Sequence, residues 1–120
     1  KLSQIPIFNR LFIREITLDN NNINRIQFNS FDDLRNLAAL SISNNNIKYI
    51  DSNSFLDLRW LRKLDLSLNY LNYLNQSLFS GTFELMFLNF SGNKLEYLSK
   101  FLFEELFKLV TLDLSNNSLK

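Results

Sequence analysis

A spacing of 24 residues organises nearly the whole chain. Ile13, Ile16, Leu18, Asn21, Ile23 and Ile26 recur as Leu37, Leu40, Ile42, Asn45, Ile47 and Ile50. The set returns as Leu61, Leu64, Leu66, Asn69, Leu71 and Leu74, and again as Leu85, Leu88, Phe90, Asn93, Leu95 and Leu98. A shortened copy, Leu109, Leu112, Leu114, Asn117 and Leu119, closes the series, and Phe31, Phe55, Phe79 and Phe103 keep the same period in a second column. Such regularity restricts the chain to architectures in which one structural unit is stacked on the next. A unit of this length cannot bury its own apolar face, so the core exists only in the stack.

The columns carry their own physics. Side chains alternate along a strand, so Ile16 turns inward while Glu15 and Thr17 face solvent. One short strand per unit follows, near 15–17, 39–41, 63–65, 87–89 and 111–113, and equivalent strands stacked about 4.8 Å apart make a parallel sheet. The Asn at 21, 45, 69, 93 and 117 lies among apolar positions, where an amide is costly unless hydrogen-bonded. It has donors and an acceptor for the backbone of its own and the adjacent turn, which makes these five a structural ladder. The Phe column fills the opposite side of each coil. Phe101 to Leu109 also reads as an amphipathic helix, but the repeat overrides it, and the return path is expected to hold turns with at most one short helical turn near the Phe.

This pattern, LxxLxLxxNxLxxL with a Phe five positions on, resembles the 24-residue extracellular subtype of the leucine-rich repeat family over residues 13–120. The resemblance implies an α/β-type right-handed solenoid with a parallel β-sheet on its concave face and mostly irregular loops and short turns on its convex face. It divides the chain into units 13–36, 37–60, 61–84, 85–108 and a truncated 109–120. Leu2-Ser3-Gln4-Ile5-Pro6 is similar to the segment that joins an N-terminal cap to the first repeat in extracellular members, so residues 1–12 are expected to be the remnant of a cap or linker. The pattern stops in mid-coil at Lys120, as expected of a piece of a longer solenoid whose uncapped ends invite self-association.

Composition narrows the chemistry. Among 120 residues there is no Cys and no His, which removes thiolate nucleophiles, imidazole bases and most transition-metal ligation, so neither a cofactor nor a metal is expected. Thirteen basic and twelve acidic residues leave a net charge of +1, too weak a field to single out nucleic acid as a partner. The longest uncharged stretch, between Asp65 and Glu84, approaches the length of a bilayer span, but its Asn, Gln and Ser side chains exclude that role. Lys1 is followed by no signal-peptide core. The lack of Cys leans toward a reducing compartment. Against it stand three N-glycosylation acceptor triplets, at Asn75, Asn89 and Asn116, which together with the resemblance favour an extracellular setting.

A stacked sheet presents its outward strand positions as one rigid concave surface suited to binding protein. One column there runs Glu15, Ala39, Lys63, Phe87, Thr111, its neighbour Thr17, Ser41, Asp65, Asn89, Asp113, and Arg14, Ala38, Arg62, Met86, Val110 flank them. Met86 and Phe87 are large apolar side chains where solvent is expected, and exposed aromatics are enriched at binding hot spots. Lys63, Asp65, Met86, Phe87 and Asn89 are therefore the expected centre of a site for a protein ligand or co-receptor. A contact with another part of the protein or a second copy explains the same apolar pair. The cluster Arg59-Trp60-Leu61-Arg62-Lys63 is a candidate for an acidic partner, but Asp57 and Asp65 flank it, and a solvated, self-compensated face is the favoured reading; the series Arg25, Tyr49, Tyr73, Tyr97 reads as packing on the descending side, and Asp32-Asp33 and Glu104-Glu105 as loop charges. For catalysis the one pair to weigh is Asp65 with Asp113, about 10 Å apart across two strands, beyond the spacing of a glycosidase pair and on a sheet too open to tune a carboxyl by burial. Not an enzyme is the reading. The resemblance leaves Toll-type receptor ectodomains, secreted immune factors, adhesion receptors and matrix proteoglycans open.

Overall fold

In a computed structural model the chain is described over residues 1–8 and 12–120. It forms a parallel-strand solenoid measuring 42 × 33 × 21 Å. Five strands, β1 (Glu15–Thr17), β3 (Ala39–Ser41), β5 (Lys63–Asp65), β6 (Phe87–Asn89) and β7 (Thr111–Asp113), line one face in that order. All pair parallel and in the register of the repeat, with Lys63 opposite Phe87 and Asp65 opposite Asn89. The central residues Ile16, Leu40, Leu64 and Leu88 turn inward and are buried, while Leu112 of the last strand is exposed. A second, two-stranded sheet, β2 (Arg25–Ile26) with β4 (Tyr49–Ile50), runs along the descending side. The sequence reading did not anticipate it.

The ladder works as the amide's hydrogen-bonding capacity demands. Asn69 Nδ2 donates to the carbonyls of Ile42, Leu66 and Ser67 at 2.9, 3.2 and 3.1 Å, while its Oδ1 accepts from the Ile47 N–H at 3.0 Å. Asn45, Asn93 and Asn117 repeat the arrangement one coil apart. Each amide thus stitches its own turn to the preceding coil, which is how Asn45, Asn69 and Asn93 sit almost fully buried, while Asn117 is half-buried. Asn21 keeps its own-turn bonds to Leu18 and Asp19, and its Oδ1 accepts from the Leu2 N–H at 2.9 Å.

On the opposite side the Phe column forms a stacked spine, with ring centroids 6.2 Å apart for Phe31 and Phe55 and 6.3 Å for Phe55 and Phe79. Phe103 continues it half-buried, and Phe8 extends it at 6.5 Å from Phe31. Leu2 thus joins the first coil through its backbone and Ile5 and Phe8 pack against the core, while residues 9–11 lie outside the described residues. No helix occurs among the described residues, so none is long and apolar enough to cross a membrane. The returns are successive tight turns, as in Leu58 N–H to Phe55 O at 3.0 Å and Leu61 N–H to Leu58 O at 3.2 Å, rather than the helical turn allowed for.

The tyrosine series departs from expectation. Tyr49, Tyr73 and Tyr97 are 61–69% exposed. Ile26, Ile50, Leu74 and Leu98, one position on, take the inward-facing places, and alternation sends the preceding side chain outward. At the first member of that series, Arg25 pairs with Asp51 at 2.8 Å.

Candidate functional site

The outward positions of the five strands surround a shallow concavity of about 350 Å³. Ala39 and Ser41 leave its floor low beside β5, while Lys63 and Phe87 form a raised pair at its centre. Lys63 Nζ lies 5.7 Å from the centroid of the Phe87 ring, a cation–π contact between registered neighbours. Phe87 remains 41% exposed. Met86 is half-buried at the edge of the strand rather than solvent-facing like Phe87.

The second column is tied back to the turns that follow the strands. Asp65 Oδ1 accepts from the Ser67 N–H at 2.9 Å, Asn89 Oδ1 from the Ser91 N–H at 2.8 Å, and Asp113 Oδ1 from the Ser115 N–H and hydroxyl at 2.9 and 2.6 Å. In the first coil the carboxylate moves two positions along, and Asp19 Oδ1 accepts from the Ser41 hydroxyl and the Ser43 N–H. The result is a polar rim of fixed geometry beside the Lys63–Phe87 pair. The structure thus brings together Lys63, Asp65, Phe87 and Asn89 on adjacent strands, with Met86 at their margin. Asn89 is half-buried there, Asn75 is half-buried beyond the strand and Asn116 is exposed on a turn.

The Asp113 carboxylate is built to stay charged. The Ser115 hydroxyl, and then its N–H, hold the Asp113 carboxyl below the ordinary aspartate range, with desolvation opposing only weakly. A general acid needs the opposite shift. Asp65 and Asp113 are also separated by the whole β6 rung.

The basic cluster is arranged differently from the compensated face the sequence suggested. Leu61 is fully buried, and Arg59, Trp60, Arg62 and Lys63 are exposed. Asp57 Oδ2 instead accepts from the Asp33 N–H at 3.1 Å and Asp65 from Ser67, so among the described residues neither forms an ion pair with the cluster.

A backbone column also escaped the sequence reading. Residues 20, 44, 68, 92 and 116, each just before a ladder Asn, all take positive φ of 53–69°. Three are Asn and one is Gly, the residues that tolerate this region best, and that recurrence was the available signal. Leu68 is the exception.

The profile of the family described as "Leucine rich repeat" matches residues 13–71 and 59–119. No curated protein matches the sequence. Solved structures do. The crystal structure of a TLR13–ssRNA13 complex is 34% identical with a TM-score of 0.76, covering 84% of this chain and 15% of that one. The Toll–Spatzle complex of Drosophila is 27% identical at TM-score 0.85, covering 88% and 14%. The LRIM1/APL1C complex is 28% identical at 0.85, covering 88% and 20%. The chain spans no more than a fifth of these three proteins. Because one of them is a complex with ssRNA13, the fold lends no support to the expectation that nucleic acid is not a partner.

Proposed function

The chain belongs to the leucine-rich repeat family, and we propose that its part there is non-catalytic: an extracellular recognition segment that binds a protein ligand or co-receptor in a receptor-like innate-immune or developmental protein. The observation that carries this is the Lys63–Phe87 pair. It sets an exposed aromatic and a cation beside a rim of fixed polar groups, the mixture of apolar centre and polar surround found at protein interfaces. Lys63, Asp65, Phe87 and Asn89 form the contact, with Met86 at its edge. Two neighbours that are complexes with protein partners support the reading. The units run 13–36, 37–60, 61–84, 85–108 and 109–120, with residues 1–12 as the remnant of a cap or linker.

The sequon at Asn89 gives a second reading the same ground. A glycan there stands on the concave surface and moves binding to the lateral or convex side, in a receptor or in a structural matrix protein alike. Expression in a glycosylating host, with mass spectrometry of residues 75, 89 and 116, separates the two. The first reading expects Asn89 unmodified and at least about tenfold weaker partner binding for Phe87→Ala and Asp65→Ala. A modified Asn89 with unchanged affinity in both variants eliminates the concave site at these strands.

A further inference from the structure

The edge of the sheet preceding the strands carries a second pocket, whose lining shares no residue with the concavity described above. Arg14, Ala38 and Arg62 stack there on consecutive rungs, with the Ala38 N–H donating to Arg14 O at 2.7 Å and the Arg62 N–H to Ala38 O at 2.8 Å. The small Ala38 opens a gap between two guanidinium-bearing side chains. Asn36 and Trp60 complete the lining of a pocket of about 280 Å³.

Its chemistry points one way. Two guanidinium groups, an indole N–H and an amide supply donors, and no carboxylate lines the pocket. Among the described residues neither Arg14 nor Arg62 has an ion-pair partner. The nearest acid in the Trp60 column, Glu84, is already held by Lys108 at 2.7 Å. Two arginines on alternate rungs stand about 10 Å apart at their Cα atoms, within reach of a common anion above Ala38. Trp60, 57% exposed, supplies an apolar wall.

We propose that Arg14, Asn36, Trp60 and Arg62 bind an acidic peptide segment of a protein partner, with a Glu or Asp carboxylate seated above Ala38 between the two guanidinium forks. The planar fork of Arg matches a carboxylate with two parallel hydrogen bonds. A nucleic-acid track requires cations continued along it, whereas here the Arg column passes on to Met86 and Val110. The charge therefore fits one or two carboxylates.

Trp60 is the only tryptophan in the chain, so its fluorescence reports this site alone. Titration of the 120-residue protein with blocked tetraglutamate is expected to give a saturable emission change that weakens as salt rises from about 0.05 to about 0.5 M. Arg14→Gln with Arg62→Gln should weaken it at least about tenfold, the paired Arg→Lys variant should weaken it less, and Phe87→Ala should leave it unchanged. The Arg→Lys pair keeps the comparison valid if the Gln pair perturbs folding. No saturable change, the same change with tetraglutamine, an undiminished response in both Arg variants, or tighter binding of oligothymidylate than of tetraglutamate would overturn the proposal.

Discussion

The side chain of Leu68 fills the space above Gly92: a Cβ added at Gly92 would lie 2.7 Å from Leu68 Cδ2. The two occupy equivalent positions of adjacent coils, at φ +56° and +69°. Hydrogen bonds enforce that conformation, the Leu68 N–H donating to Ser91 O at 2.8 Å and the Gly92 N–H to Ser115 O at 3.0 Å. Leucine in this region is held against its own preference by the rest of the coil.

Replacing Leu68 by Asn, the residue at 20, 44 and 116, should therefore stabilise the fold by about 1 kcal/mol. Gly92→Ala should cost about 1–2 kcal/mol, and less in a Leu68→Ala background, where the clashing methyl is gone. Urea midpoints for the single variants and for the Leu68→Ala, Gly92→Ala double variant give the coupling directly. Strict additivity would show that the two residues do not share this space.

Asn69→Ala should cost about 1–3 kcal/mol, because it strands the Ile47 N–H inside the stack and takes one of two donors from the carbonyls of Ile42, Leu66 and Ser67. Chemical denaturation checks the figure, and an unchanged midpoint would mean that these groups find water instead.

Phe55→Ala removes a fully buried ring stacked on two others and should cost about 3–5 kcal/mol. The half-buried Phe103 should cost less. Tyr73→Ala, by contrast, should stay within about 0.5 kcal/mol of the parent, and equal losses at 55 and 73 would contradict the burial described.

Ser115→Ala should raise the Asp113 pKa toward its ordinary value by removing the hydroxyl bond, the largest cause of its depression. The sign follows from linkage. A depressed carboxylate adds stability above its unfolded pKa and loses it as pH falls through the folded one. A carbon-detected NMR titration of Asp113 that shows the same midpoint in both proteins would remove Ser115 as the cause.

The strands were legible because a 24-residue period repeats Leu40, Leu64 and Leu88 and the ladder Asn without a slip. The Phe spine was legible for the same reason, and each column reports one buried environment repeated by stacking. The positive-φ column was missed at Leu68, where an unsuitable residue hides the pattern that Asn20, Asn44 and Gly92 spell out. Phe8 was missed because it lies one residue off the period of the other Phe. Tyr49, Tyr73 and Tyr97 show the limit of periodicity: a column that recurs marks equivalent places, and only the alternation beside Ile50 and Leu74 tells which of them face inward. At the site, Phe87 was legible as an aromatic at an outward strand position. Its contact with Lys63 depends on side-chain conformation, and the capture of Asp57 by the Asp33 N–H depends on a turn the pattern does not encode.

The recognition surface is tested most directly by a photo-crosslinking residue placed at position 87 and, in a separate protein, at the exposed position 73 on the descending side. With a protein partner bound, the concave-face account predicts a covalent adduct from position 87 and none from position 73. An adduct from position 73 alone would contradict it.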